Sequence, residues 1–147
     1  MNEFKIAIGS DHAGFGLKSY IKGYLESGGY EVIDVGTNSD ASVDYPIFAK
    51  AVAKKILDKE CGLGILVCGS GQGMAMTANR FKGIRAAVCN DTFSAHASRT
   101  HNNANILCLG ERVVGKGLAL DICKAWFNAA FEGGRHQART EMIELQS

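Results

Sequence analysis

The stretch that decides the fold is Leu63-Gly64-Ile65-Leu66-Val67-Cys68, followed at once by Gly69-Ser70-Gly71-Gln72-Gly73. A short apolar run that breaks on a cluster of turn-forming residues reads as a strand covered on both faces, as in a parallel sheet. Working outward, strand-like runs recur at Phe4–Ile8, Glu31–Val35, Ile84–Cys89 and Asn105–Leu109. Helical stripes lie between them. Leu17, Tyr20, Ile21, Tyr24 and Leu25 share one face of a 3.6-residue period, and Gly28-Gly29 stops that helix. Phe48, Ala49, Val52, Ala53, Ile56 and Leu57 repeat the pattern after Pro46, a residue suited to a first helical turn. Leu118, Ile122, Ala125, Trp126 and Ala129 form a third stripe, and Gly133-Gly134 sets it apart from a polar helix running from Arg135 to about Leu145. Strand and helix in alternation give βαβ units. The pattern predicts an α/β, doubly wound domain over 1–147, with a five-stranded parallel sheet in the order 2-1-3-4-5. Other doubly wound orders stay open.

Composition narrows the function. The 147 residues are 46% hydrophobic and 21% charged, which fits a soluble globular chain and excludes disorder. Sixteen Lys and Arg against fifteen Asp and Glu leave +1, so the charge balance points to neither nucleic acid nor membrane. No apolar run has the length of a membrane span, and Met1-Asn2-Glu3-Phe4-Lys5 lacks a signal-peptide layout. Glycine is abundant, with 18 residues, and proline occurs once, a balance suited to tight strand-to-helix turns that approach a ligand. Five cysteines with no C-x-x-C spacing argue against a disulfide framework or zinc site and fit a reducing, cytoplasmic setting.

In such sheets ligands bind beyond the carboxyl ends of the strands, where the order reverses. The first strand runs into Gly9-Ser10-Asp11-His12 and the third into Cys68–Gly73; the fourth ends at Cys89-Asn90-Asp91 and the fifth at Gly110-Glu111-Arg112. The glycine loop reads either as a nest of inward amides for an anion or as a plain tight turn. No Lys-Ser/Thr follows it, so it is not a nucleotide P-loop. Cys68 touches that loop, whereas Cys61, Cys89, Cys108 and Cys123 lie in or near apolar stretches as small hydrophobes. Asp11 beside His12 reads as a catalytic pair or as a helix N-cap. Among His12, His96, His101 and His136 no i, i+4 pair and no acidic cluster indicates a metal. His101 becomes functional only if its loop folds back over the crevice. Arg135 and Arg139 share one helix face, as a phosphate clamp with His136 near or as a solvated face paired with Glu132 and Glu141.

Taken together, Gly9-Ser10-Asp11-His12, Asp44-Tyr45-Pro46, Cys68–Gly73, Ser98-Arg99-Thr100-His101-Asn102, Gly110-Glu111-Arg112-Val113-Val114 and Glu132-Gly133-Gly134-Arg135-His136 resemble the type B ribose-5-phosphate isomerases. That family also holds galactose-6-phosphate and allose-6-phosphate isomerases. The resemblance spans essentially the whole chain. It implies a Rossmann-like domain that interconverts ribose 5-phosphate and ribulose 5-phosphate through a cis-enediolate, with no cofactor and no metal. It assigns Cys68 as the base, and the amides of Gly69, Gly71 and Gly73 to the enediolate oxygen. Ser70 would contact the sugar oxygens and relay their proton. His101, helped by Asp11, would open the furanose ring, while Tyr45 and Asn102 position the sugar. His12, Arg112, Arg135 and Arg139 would hold the phosphate, the last two reaching in from a partner subunit on the terminal helix. The working unit would be a homodimer, or a tetramer of paired dimers. A second branch of the family replaces this cysteine and uses a Glu just after the glycine loop; here Met74 stands there and Cys68 is present. The very apolar fifth strand, read as a sheet edge, adds an expectation of partner coverage. The rival readings are a hexose-6-phosphate isomerase and a non-enzymatic flavodoxin-like or receiver-like binding module. The poor fit of Gly9–Gly14 to a flavin loop and Cys68 at the end of the third strand speak against the module.

Overall fold

The apolar run that ends at Cys68 forms strand β3 (Leu63–Cys68), and every residue of it is buried. The computed structural model describes residues 5–144; Phe4 of the expected first strand and Leu145 of the expected last helix lie outside the described residues. Around β3 stand β1 (Lys5–Ser10), β2 (Glu31–Asp34), β4 (Ala86–Val88) and β5 (Ile106–Gly110). All neighbours pair in parallel.

The order is β2-β1-β3-β5-β4, which corrects the expected 2-1-3-4-5. The reason is burial. Ile106-Leu107-Cys108-Leu109 is fully buried, so β5 takes an interior place beside β3. The three half-buried residues of β4 make the edge. A short edge strand presents little unpaired backbone. The apolarity of the fifth strand therefore reflects an interior position and no longer argues for a partner.

Helices cover both faces. They are α1 (Phe15–Ser27), α2 (Tyr45–Leu57), α3 (Gln72–Ala78), α4 (Thr92–Thr100), α5 (Lys116–Phe127) and α6 (Arg135–Glu144). Alternate residues of β3 divide between two cores, as the strand period demands. Ile65 and Val67 join Leu17, Ile21, Ile122 and Trp126 from α1 and α5. Leu66 and Cys68 join Val52, Ala53, Met74 and Ala78 from α2 and α3. Each such large side chain, fully buried, stabilises by about 1.5–3 kcal/mol.

Two polar fastenings matter for the site. Lys18 is 1% exposed, and its Nζ donates to both oxygens of Asp34 at 2.8 Å and to the Thr37 carbonyl at 2.6 Å. That pins the segment between β2 and α2. At the other end of the molecule, Glu144 accepts from the Gly83 N–H at 2.8 Å and from Arg85 at 2.8 Å, which ties the tail of α6 to the amino end of β4.

Candidate active site

The order β2-β1-β3 makes β1 and β3 the point where the chain changes direction, and their carboxyl ends open into a cleft of about 430 Å³. Asp11, His12, Tyr45, Cys68, Gly69, Ser70, Gly73 and Arg112 line it, together with Ala13 and Val113. Eight of the residues singled out in the sequence thus meet in one place. Ala13 and Val113 carry no chemical signature; they lie within the stretches Gly9–Gly14 and Gly110–Val114, but the sequence gives them no role of their own.

Each side chain is set by local structure. Asp11 caps a 3-10 turn (His12–Gly14), accepting from the Ala13 and Gly14 amides at 3.0 and 3.1 Å. The N-cap reading of Asp11 therefore holds, in a residue that also borders the cleft. His12 Nδ1 accepts from the Val43 N–H at 3.1 Å. That bond leaves the ring proton on Nε2, so His12 is a donor at its far edge. Cys68 closes β3 and is 6% exposed. Its Sγ accepts from the Gly71 N–H at 3.1 Å. Gly71 can aim that amide because its φ is +82°, and a Cβ there would stand 3.2 Å from the Leu109 backbone. Ser70 Oγ accepts from the Gln72 N–H at 3.3 Å. Gly73, in the first turn of α3, keeps an N–H with no intrahelical partner. Its missing side chain admits the Tyr45 ring, which a Cβ would strike.

The neighbouring β5 supplies the opposite wall. Glu111 N–H donates to Cys68 O at 2.9 Å and Arg112 N–H to Gly69 O at 3.1 Å, so the two loops are stitched together. The Arg112 guanidinium lies over Gly69. Glu111 in turn accepts from the Leu17 N–H at 2.6 Å, capping α1. The remaining cysteines differ in setting. Burial pushes the thiols of Cys61, Cys89 and Cys108 up, and that of Cys123 up to about 12.

Four candidates stand elsewhere. Helix α4 runs from the carboxyl edge of the sheet back to its amino edge, so His101 and Asn102 sit at the start of β5. The loop does not fold back over the crevice. A strand of five residues spans roughly 17 Å, and that length separates His101 from Asp11 and Cys68 within one chain. Arg135 and Arg139 are exposed on α6. Neither forms an ion pair among the described residues: Glu132 faces His136 and Glu141 accepts from Gln137. The face is thus solvated, but without the acidic partners Glu132 and Glu141 that reading expected. Sequence spacing also missed a cluster, because its members are far apart in the chain: His101, Glu132 and His136 place their donor atoms within 4.8 Å of one another.

A doubly wound α/β fold with a cysteine and a glycine-rich loop at its switch point defines a small-molecule site of the kind such sheets carry. Comparison gives the family. The family model described as Ribose/Galactose Isomerase matches residues 6–143. The chain is 51% identical over 139 residues to the ribose-5-phosphate isomerase B of Escherichia coli strain K12, covering 95% of this chain and 93% of that protein. The Clostridium thermocellum ribose-5-phosphate isomerase B structure superposes with a TM-score of 0.94 at 54% identity, over 95% of each chain. The Mycoplasma genitalium ribose-5-phosphate isomerase B, solved with bound ribulose-5-phosphate, gives 0.92 at 42% identity, over 98% of this chain and 96% of that one. This chain belongs to the ribose/galactose isomerase family.

Proposed function

We propose that the chain, as one domain over 1–147, interconverts ribose 5-phosphate and ribulose 5-phosphate through a cis-enediolate. The observation that carries this reading is the Cys68 sulfur, held by the Gly71 amide at 3.1 Å on the wall of a cleft that also bears Arg112. The Cys68 thiolate takes the proton from C2 of the open aldose and the resulting thiol returns it to C1, while Ser70 relays the O2 proton to O1, the oxygen on which the enediolate charge develops. The Gly71 amide serves the sulfur, so the free amide of Gly73 and the Ser70 hydroxyl are the donors available to that oxygen. One such donor is worth roughly 3–4 kcal/mol in a transition state. Arg112 and the Nε2–H of His12 face the phosphate, and Tyr45 walls the sugar. All of this is acid–base chemistry, and no step calls on a cofactor. The buried, unpaired cysteines fit a cytoplasmic setting.

One chain holds only half of the machinery, so the reading includes a homodimer with shared sites. His101 opens the furanose ring bound by the partner, with Asp11 of that partner beside it; Asn102 orients the sugar, and Arg135 and Arg139 close on the phosphate. Three observations support this. His101 and Cys68 lie at opposite edges of one sheet. The arginines lack acidic partners among the described residues. The carboxyl rim exposes the apolar side chains of Ile47, Phe93 and Val113 by 60%, 77% and 53%, which association would cover.

The test is complementation. Cys68→Ala and His101→Ala are each expected to lose turnover. Co-expressed in equal amounts, they should recover roughly a quarter of wild-type activity, the statistical share of intact sites when pairs form at random. No recovery refutes the shared site, and full turnover by Cys68→Ala refutes the base.

A further inference from the structure

The His101 ring does not stand free. It stacks on the ring of His136 with centroids 4.5 Å apart and planes inclined by 18°. His136 is 7% exposed, and its Nε2 lies 3.5 Å from Glu132 Oε1. The backbone holds the assembly from both sides. The His101 N–H donates to Ala97 O at 2.8 Å, the Glu132 N–H to Thr100 O at 3.0 Å, and the His136 N–H to Gly133 O at 2.9 Å. The segment before α6 is thus strapped to the last turn of α4, and a buried imidazole lies flat beneath an exposed one. The donor set of two histidines and a carboxylate would suit a transition metal, but ring lone pairs lie in the ring plane. Two nearly parallel rings send theirs side by side and do not converge on one point. The arrangement acts through ring faces.

We infer that His136 is a positioning residue for ring opening: its buried imidazole is a flat stop under one face of the His101 ring that fixes the plane of that ring and so the direction in which its nitrogens meet the sugar. This rests on the isomerase reading and on His101 as the ring-opening group. Ring-face contact carries the effect, and the Glu132 carboxylate, being more than half exposed, adds little.

Ribulose 5-phosphate makes the test separable, because its O5 carries the phosphate and it cannot close a furanose ring. Exchange of its C1 hydrogen with deuterium oxide reports the Cys68 step alone. Turnover of ribose 5-phosphate reports ring opening as well. His136→Ala is expected to lower kcat on ribose 5-phosphate roughly 100-fold, the scale of a misplaced catalytic group. Its C1 exchange should stay within about threefold of wild type. His136→Phe keeps a flat ring and should restore kcat to within about threefold of wild type, and Glu132→Gln should change it less than about twofold. Wild-type turnover by His136→Ala would overturn the inference. So would equal loss of exchange and turnover, or a Phe variant no better than Ala. Absence of both C1 exchange and ribose 5-phosphate turnover in the wild-type protein would instead remove the isomerase reading, and this inference with it.

Discussion

Adding one methyl group at Gly71 should separate the chemistry of the loop from the stability of the fold. At φ +82° an alanine enters the left-handed region, which costs about 1–2 kcal/mol. Its Cβ would stand 3.2 Å from the backbone of Leu109. Leu109 belongs to the interior strand β5 and has little room to give, so the loop must shift. Across a chain of 147 residues, that cost corresponds to a fall in Tm of roughly 3–7 °C. The larger effect falls on activity. The shift moves the Gly71 amide off the Cys68 sulfur, and loss of a hydrogen bond to a charged group, worth roughly 1.5–3 kcal/mol, costs about 10- to 100-fold in kcat. Gly23→Ala is the control. Gly23 lies on the exposed face of α1, and a Cβ there meets nothing within 4 Å. This second methyl should stabilise by about 0.5–1 kcal/mol and leave kcat unchanged. The pair would be compared by thermal melts and by a coupled isomerase assay run with a chelator. If Gly71→Ala turned over like wild type, the link between loop geometry and the sulfur would be wrong.

Other outcomes follow from the same structure. Arg139→Ala should raise KM for ribose 5-phosphate about 10- to 100-fold, the worth of a charge-assisted hydrogen bond, and leave weak turnover of phosphate-free ribose untouched; equal loss on both sugars would sink the clamp. Iodoacetamide should label Cys68 and be slowed by ribose 5-phosphate, since burial holds Cys108 and Cys123 as thiols; peptide mapping that finds another cysteine modified first would count against it. Lys18→Met should destabilise by about 3 kcal/mol in urea, toward the low end for a broken buried pair, because Lys22 stands 3.9 Å from Asp34. Burial raises the thiols of Cys61, Cys89, Cys108 and Cys123, so the folded chain keeps protons that the unfolded chain releases above about pH 8.5. Their contribution is whole below that pH and falls as pH climbs toward 12, by up to about 1.4 kcal/mol per pH unit for each thiol. Urea midpoints that stayed level from pH 8 to pH 11 would contradict this.

Local patterning made the strands and the cleft legible, because both depend on short stretches. Leu63–Cys68 announces a buried strand, and its loop announces the turn that follows. The strand order was not legible in the same way. Which run lies beside β3 is decided by packing between distant segments, and the one available clue, the greater apolarity of Ile106–Leu109 over Ala86–Val88, reads equally as an edge strand covered by a partner. The site divides along the same line. Asp11, Cys68 and Arg112 gather because all three lie at carboxyl ends of strands. His101 and His136 stand 35 positions apart, and only the docking of α6 against α4 stacks their rings.

The fastening of α6 at both ends bears on how two chains would come together. Glu144 anchors its tail to Gly83 and Arg85, and the Glu132–His136 segment anchors its head to α4. Arg135 and Arg139 therefore project from a stiff arm whose backbone is ordered before any encounter. A loose tail would lose conformational freedom on docking and weaken the pair accordingly. A braced helix has already given that freedom up during folding, so in the proposed homodimer an approaching subunit would find the arm in its final pose, and association would be spared an ordering step.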